Sequence, residues 1–380
     1  MKITIKNTPE QVELIKRMAS EDSHVSYEAQ AAVASIMGPI INQVINNAPT
    51  ISTLYETMEF GEDDNPSIQL DLFYDITDEQ HIRVWQQQTA GGLAYSQIFP
   101  THSELKFSTY SLDSAFALDK KYVRRSRLPA VSAVFTRMAQ EILLKQEKTA
   151  FNQLAQAVIN ASTAIAGTSA AGNHVIGSTT ENQLTLDDFN RLITRSKRIN
   201  ASFSTGTPVG GSKVGVTDLL VSPEMVQELR AMAYQPVNTR AVPDTAESTA
   251  LAAPESLRET LYSAAGLPSF YGINIIEILE LGIAARYNAI FGALVAASGA
   301  SISGGGGGSW VTADDEVLIG VDRTRRGLIR PAIVQEGTSE QVKLLVDDQF
   351  VARQEKVGWY GKVEEGRVVV EDRALTAIVC

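Results

Sequence analysis

Between Pro129 and Asn160 the apolar positions follow a helical period and then change sides. Val131, Val134, Phe135, Met138 and Ile142 recur at spacings of three and four, and after Leu143 and Leu144 the stripe moves to nearly the opposite face with Phe151, Leu154 and Val158. Pro129 suits a first helical position, and the interior is rich in Ala, Leu, Gln, Glu and Lys with no Gly or Pro. At about 1.5 Å per residue the helix would be roughly 45 Å long. Each half must bury against a different body. Two readings fit: a beam joining two lobes, or a kinked pair of core helices in one domain.

Upstream the pattern is open. Thr8-Pro9-Glu10-Gln11 is a helix start, with Thr8 as cap and Gln11 placed to return the bond, and it predicts a short helix to about Ala19. A second helical segment, about Tyr27 to Asn46, is interrupted by Gly38-Pro39, so the first fifty residues read as an arm that lies on this chain or on a neighbouring copy. From Ile68 to Ile76 apolar and polar positions alternate, the alternation continues through Ile82, Val84 and Gln86, and strand-like runs resume at Leu93–Phe99 and Leu105–Tyr110. These predict an extended β-ribbon with a polar tip at Gln86–Gly92. A long two-stranded ribbon is marginal alone and implies a surface that receives it.

Downstream, Ala161–His174 is small and glycine-bearing, as a hinge is. Thr185-Leu186-Asp187-Asp188 starts a helix through Ile199; Val214–Val221 reads as a buried strand; Ser222-Pro223-Glu224 caps a helix to about Tyr234. Leu257–Ala265 is a further helix, and Ile273–Leu281, Val317–Val321 and Leu328–Val334 are strands. The mixture predicts an α+β lobe. The β-rich tail from Gln341 to Cys380 is expected to return to the first lobe and pack on the long helix, making the second lobe an insertion.

The formal net charge of −11 argues against a protein that grips nucleic acid by neutralising many phosphates, though loose confinement stays compatible with it. Cys380 is the one cysteine, so no intrachain disulfide forms and no cysteine-based metal site is available. No apolar run approaches eighteen residues and no leader pattern opens the chain, so the expectation is a soluble, unexported protein with no membrane partner. His24, His81, His102 and His174 are dispersed, without metal-site spacing, and are expected at the surface or in hydrogen bonds. Gly304–Gly308 lacks the Lys-Ser or Lys-Thr of a phosphate loop and reads as a flexible loop. The aspartate pairs at 63–64, 187–188, 314–315 and 347–348 sit at turns and helix starts, where Asp is locally favoured. No acid, base and nucleophile assemble: no catalytic residue, cofactor or metal is assigned. Two basic clusters stand out, Lys120, Lys121, Arg124, Arg125 and Arg127 around Tyr122, and Arg323, Arg325, Arg326 and Arg330. Phosphate contact is open to the first; solvated faces or ion pairs between subunits are the default for both.

Arm, ribbon, long helix, inserted α+β lobe and β-rich return, in this order, resemble the major capsid protein of tailed double-stranded DNA bacteriophages, the Hong Kong 97-type fold. Five stretches sharpen the likeness: FALDKKYVRRSRLPAVSAVFTRMAQEILLKQE, TDLLVSPEMVQELR, APESLRETLYSAAGLPSFYGINIIEI, VLIGVDRTRRGLIRPAIV and FVARQEKVGWYGKVEEGRVVVEDRALTAI. The resemblance implies an arm over 1–65, an extended β-hairpin loop over 66–112, a peripheral domain from 113–165 and 335–380 with its spine helix at 129–160, and an axial domain over 166–334. It also implies a non-enzymatic shell protein that assembles with itself into hexamers and pentamers of an icosahedral virion. Its further partners would be a portal protein at one vertex, scaffold and decoration or cement proteins, and packaged double-stranded DNA held without sequence-specific contact, with assembly in the host bacterial cytoplasm. Candidates for contact between subunits are then Asp75, Arg83, Trp85 and Lys106 from the loop with Lys120, Lys121, Arg124, Arg125, Arg127, Arg323, Arg325 and Arg326 from the two clusters.

Two departures matter. The chain starts near the arm, so a separate scaffold or a removed segment is expected, and Lys106 is the one lysine of the ribbon, with no catalytic partner for the isopeptide crosslink some relatives form. The alternatives are an encapsulin-like compartment shell, separated by what the particle contains, and a soluble α+β enzyme, separated by its small size in solution.

Overall fold

A computed structural model describes residues 8–46, 48, 51–69, 104–125, 128–163, 174–199, 215–231, 269–270, 272–334, 341–347 and 355–380. It divides into two compact units. The first takes the described residues of Met1–Gln69, Glu104–Ala150 and Ile329–Val368; the second takes those of Phe151–Leu328 and Val369–Cys380.

In the first unit, α1 (Pro9–Met18) begins where Thr8 accepts the Gln11 N–H at 3.4 Å. The return bond from the Gln11 side chain does not form. The second helix, α2 (Ser23–Asn46), runs straight through Gly38-Pro39 rather than breaking there. Pro39 and Ser35, whose carbonyl loses its helical partner, are both exposed, while Met37, Ile41 and Ile45 on the other side are buried. The carbonyl left without its helical partner thus lies on the exposed side, and the packed face holds the helix together. Strand β1 (Glu56–Phe60) follows, then β2 (Ser67–Gln69), β3 (Glu104–Lys106), β4 (Tyr110–Asp119) and the short α3 (Lys120–Arg124).

Helix α4 (Leu128–Thr163) is one unbroken helix, so the kinked-pair reading fails. Its apolar stripe changes sides as the sequence demands. Val131, Phe135, Met138 and Ile142 are buried in the core of the first unit, where Phe135 meets Phe116 and Trp359 edge-on at 5.1 and 5.3 Å. Beyond Ala150 the buried side chains belong to the second unit, and Phe151 stacks on Tyr287 at 4.4 Å.

The arm packs on its own chain. Ile15, Met18, Val33, Met37 and Ile41 share one core with Phe135 and Trp359, and the Trp359 indole N–H donates to the Gln30 carbonyl at 3.4 Å. Burying side chains of this size stabilises by about 1.5–3 kcal/mol each.

The sheet of the first unit runs β1-β10-β12-β11, with β4 paired to β12 and β13 to β10, where β10 is Leu328–Ile333, β11 Val342–Asp347, β12 Lys356–Glu365 and β13 Val368–Val369. Strand β12 returns against α4 as expected. Gly361 faces the Met138 methyl, 1.8 Å from where a Cβ would stand, which places the strand directly against the helix.

The second unit holds a mixed sheet, in order β5-β14-β9-β6-β8-β7, from β5 (Val175–Gly177), β6 (Asp218–Val221), β7 (Ser269–Phe270), β8 (Ile273–Glu277), β9 (Val317–Val321) and β14 (Leu375–Val379). Helices α5 (Leu186–Ile199) and α6 (Pro223–Ala231) supply Phe189, Leu192, Val226 and Leu229 to its core, and α7 (Arg286–Ser298) ends at Gly299 in a left-handed conformation, φ 65°. The chain's last strand corrects the expectation for the tail. All five residues of β14 are buried between β5 and β9, because in LTAIV Thr376 is the one polar side chain and both faces need cover. Ile329–Val368 thus groups with the first unit, and Val369–Cys380 with Phe151–Leu328.

Candidate assembly surfaces

A buried charge network closes the first unit. Glu365, fully buried at the end of β12, accepts from Arg330 Nε at 2.8 Å, Arg367 Nη1 at 3.2 Å, Gln146 Nε2 at 3.0 Å and the Tyr110 hydroxyl at 3.0 Å. Arg367 reaches Ser52 at 3.1 Å and lies 5.4 Å from the Tyr55 ring centre, while the Tyr55 hydroxyl donates to the Ala150 carbonyl at 2.9 Å. Burial lowers the Arg330 pKa and the Glu365 carboxylate opposes that; burial and the same carboxylate raise that of Tyr110. One carboxylate thus ties β4, α4, β10, β12 and the end of the arm.

Two of the five residues of the first basic cluster make contacts within the chain. Lys120 is buried, with Nζ 3.4 Å from the Ser20 carbonyl, and Arg124 Nε donates to the Ala19 carbonyl at 3.3 Å. Both cations meet the carbonyl end of α1, where helix termini favour positive charge. Lys121 and Arg125 point to solvent. In the second cluster Arg325 pairs with Glu371 and Arg330 with Glu365, so these two are intrachain partners rather than free contacts. Arg326 holds a left-handed backbone, φ 50°, in the turn, and Arg323 and Arg326 are exposed.

The base of the predicted ribbon is present: β2 and β3 pair antiparallel, Ser67 opposite Lys106 and Gln69 opposite Glu104, so residues 69 and 104 stand ~5 Å apart. Lys106 is exposed on this base. Asp75, Arg83, Trp85 and Arg127 lie outside the described residues, as do His81, His102, Leu257–Ala265 and the part of the ribbon between residues 70 and 103.

In the second unit α5 is fixed by a reciprocal cap. Thr185 Oγ1 accepts the Asp188 N–H at 3.2 Å, and Asp188 accepts from Thr185 N at 3.2 Å and from Thr179 N at 2.9 Å. Burial alone would raise the Asp188 pKa, but the Thr179 and Thr185 bonds outweigh it and hold the carboxyl below its ordinary value. The exposed side of the helix carries Arg191, Arg195 and Arg198 along a concavity of about 460 Å³. This stripe was readable from the spacing of four and three residues, yet neither basic cluster of the sequence contains it.

His174 is buried rather than at the surface, its Nδ1 2.7 Å from the Leu375 carbonyl; His24 is exposed beside Glu28. The glycine run is a hydrogen-bonded turn: Gly306 and Gly307 adopt φ 65° and 86°, and the Gly305 N–H donates to Asp315 at 2.8 Å. Burial pushes the Cys380 thiol pKa well up. Among the described residues no group of three or more His, Cys, Asp or Glu side chains could hold a metal ion, and no helix is long and apolar enough to cross a membrane.

The architecture matches that of the capsid of an empty GTA particle, computed with C5 symmetry, over 87% of this chain and 89% of that one, with a TM-score of 0.50 at 9% sequence identity. The chain has a capsid-protein fold. Other solved structures of similar coverage include Microbacterium phage Oxtober96, at 12% identity over 87% of this chain and 91% of that one with a TM-score of 0.47. The holo-SrpI encapsulin complex from Synechococcus elongatus PCC 7942 matches over 73% and 75% with a TM-score of 0.39 at 10% identity. No family model matches the sequence, and no curated protein matches it. The capsid-protein fold is thus carried by architecture, at 9% sequence identity.

Proposed function

We propose that this chain is the major capsid protein of a tailed double-stranded DNA phage, assembling as hexamers and pentamers of an icosahedral head. The observation that carries this reading is the capsid-protein fold over 87% of the chain. The paired base at β2 and β3 supports it, because Gln69 stands opposite Glu104 and the insertion between them starts and ends at one place, as an extension reaching a neighbour would. Among the described residues, Lys106, Lys121, Arg124, Arg125, Arg323 and Arg326 are the exposed cations of the expected contact set. Asp75, Arg83, Trp85 and Arg127 would join them from the insertion and the entry to α4.

The role is mechanical and non-catalytic. Shell closure repeats each contact by symmetry, so small areas lent to neighbours sum to a stable particle. With net charge −11 the chain confines DNA by geometry, and counterions neutralise most of the phosphate. A portal protein at one vertex and scaffold and decoration proteins complete the partners, in a virion assembled in the host cytoplasm.

Replacing residues 71–102 by a short Gly-Ser turn tests the reading while sparing the β2–β3 pair. The expected product is a folded, soluble subunit that forms no closed shells by electron microscopy. Shells of normal yield and size would refute the role of the insertion.

A further inference from the structure

The arginine face of α5 belongs to neither cluster that the sequence singled out. Arg191, Arg195 and Arg198 line one side of the helix, with Asn190 and Thr194 between them and Asp187 at the start of the same concavity. The rise between successive arginines is about 6 Å and 4.5 Å. Arg191 is anchored by Asp188 at 3.1 Å and Thr179 at 3.3 Å, which fixes one end of the row. Arg195 and Arg198, beside an Arg191 already held by Asp188, add positive charge to this face and favour a partner with several carboxylates at close spacing, since guanidinium forks bind carboxylate in two-pronged geometry.

The chain itself supplies that partner. Its 44 acidic residues exceed its 33 Lys and Arg, so copies in a shell offer carboxylates in excess. Among the described residues one run of three consecutive carboxylates is exposed throughout: Glu62, Asp63 and Asp64 in the turn after β1. The other run, Asp314-Asp315-Glu316, buries two of its three. Asp64 closes its own turn by accepting the Gly61 N–H at 3.0 Å, which leaves Glu62 and Asp63 directed outward. Glu62 has only an exposed pairing with Lys343 at 3.4 Å, of little worth in water.

We infer that the arginine face of α5 on one copy receives the Glu62–Asp64 turn of a second copy, forming a charge-complementary contact within the shell. The inference rests on the proposed shell function and adds which surfaces meet. Opposite charges at such a contact set register and disfavour wrong pairings, since like charges brought together there would repel.

The test is a charge swap, read by sedimentation velocity and electron microscopy with thermal melts as a folding control. R195E/R198E and E62K/D63K, each alone, should cut the yield of closed shells about tenfold with melting unchanged, and the four substitutions in one chain should restore it. Should charge reversal unfold the subunit, the milder R195Q/R198Q serves in the same assay, with a yield lowered about threefold and less sensitive to salt. Wild-type shell yield from R195E/R198E or R195Q/R198Q would overturn the inference, as would failure of the fourfold variant to recover. Normal shells that retain less DNA would assign the face to nucleic acid and also overturn it. A wild-type chain that forms no shells would instead contradict the proposed function.

Discussion

Two arginines share the buried carboxylate of Glu365, so its removal leaves uncompensated charge inside the first unit. Glu365→Ala should lower stability by about 3–5 kcal/mol in urea unfolding; a loss below about 1 kcal/mol would show that the network relaxes or hydrates. The neighbouring Gly366 has no room for a side chain: a Cβ there would sit 2.8 Å from the Ser108 carbonyl oxygen, and backbone cannot swing aside as a methionine methyl can. In the second unit Glu316 is deeply buried, and burial raises its pKa from 4.5 to about 7; Glu224 and Glu228 add to the rise and the Ser222 hydroxyl opposes it. The folded chain therefore keeps a proton that the unfolded chain releases. That stabilisation is full below about pH 4.5, declines between 4.5 and 7, and is lost above about 7. The contribution is about 3 kcal/mol. Glu316→Gln should flatten this slope and raise the melting temperature at pH 8; an unchanged pH profile would contradict the assignment.

At the scale of elements, α2 carries its own test. Pro39 is exposed in a helix that continues past it, so Pro39→Ala restores one backbone bond without disturbing a packed face. The gain should be about 1–3 kcal/mol, reduced by the greater freedom of the unfolded chain, and denaturant unfolding would read it. The same helix shows where local sequence misleads. Gly38-Pro39 is a strong break signal, but the packing of Met37, Ile41 and Ile45 prevails over it. Elements with local caps were legible: Thr8, Thr185 and Ser222 each sit where their hydroxyl meets an N–H three residues on. Strand β1 was not, because its parallel partner β10 lies some 270 residues away, Glu56 opposite Ile329. Helix α7 was missed for another reason: RYNAIFGALVAAS is apolar nearly all round and shows no amphipathic stripe.

For the whole molecule, the sequence reports two bodies through one helix. The change of side between Ile142 and Phe151 coincides with the division between units after Ala150. It leaves the arm's place open, on this chain or on a neighbour, because the partners Phe135 and Trp359 come from distant segments. The last strand reads as part of the first body because hydrophobicity says that it is buried but not where. The charge surfaces were half legible for the same reason: Lys120, Arg124 and Arg325 find carbonyls or carboxylates from remote parts of their own chain. With the arm packed on its own core, the proposed association between copies rests on the insertion between β2 and β3 and on the exposed charges, and α2 still exposes Tyr27, Ile36 and Ile40. Electron microscopy of the purified intact chain, paired with nuclease protection of its contents, tests this most directly. The account predicts closed icosahedral particles built from six- and five-fold clusters and, from infected cells, protecting double-stranded DNA. A chain that remains a solitary folded monomer at every concentration, or closed shells whose cargo is protein, would contradict it.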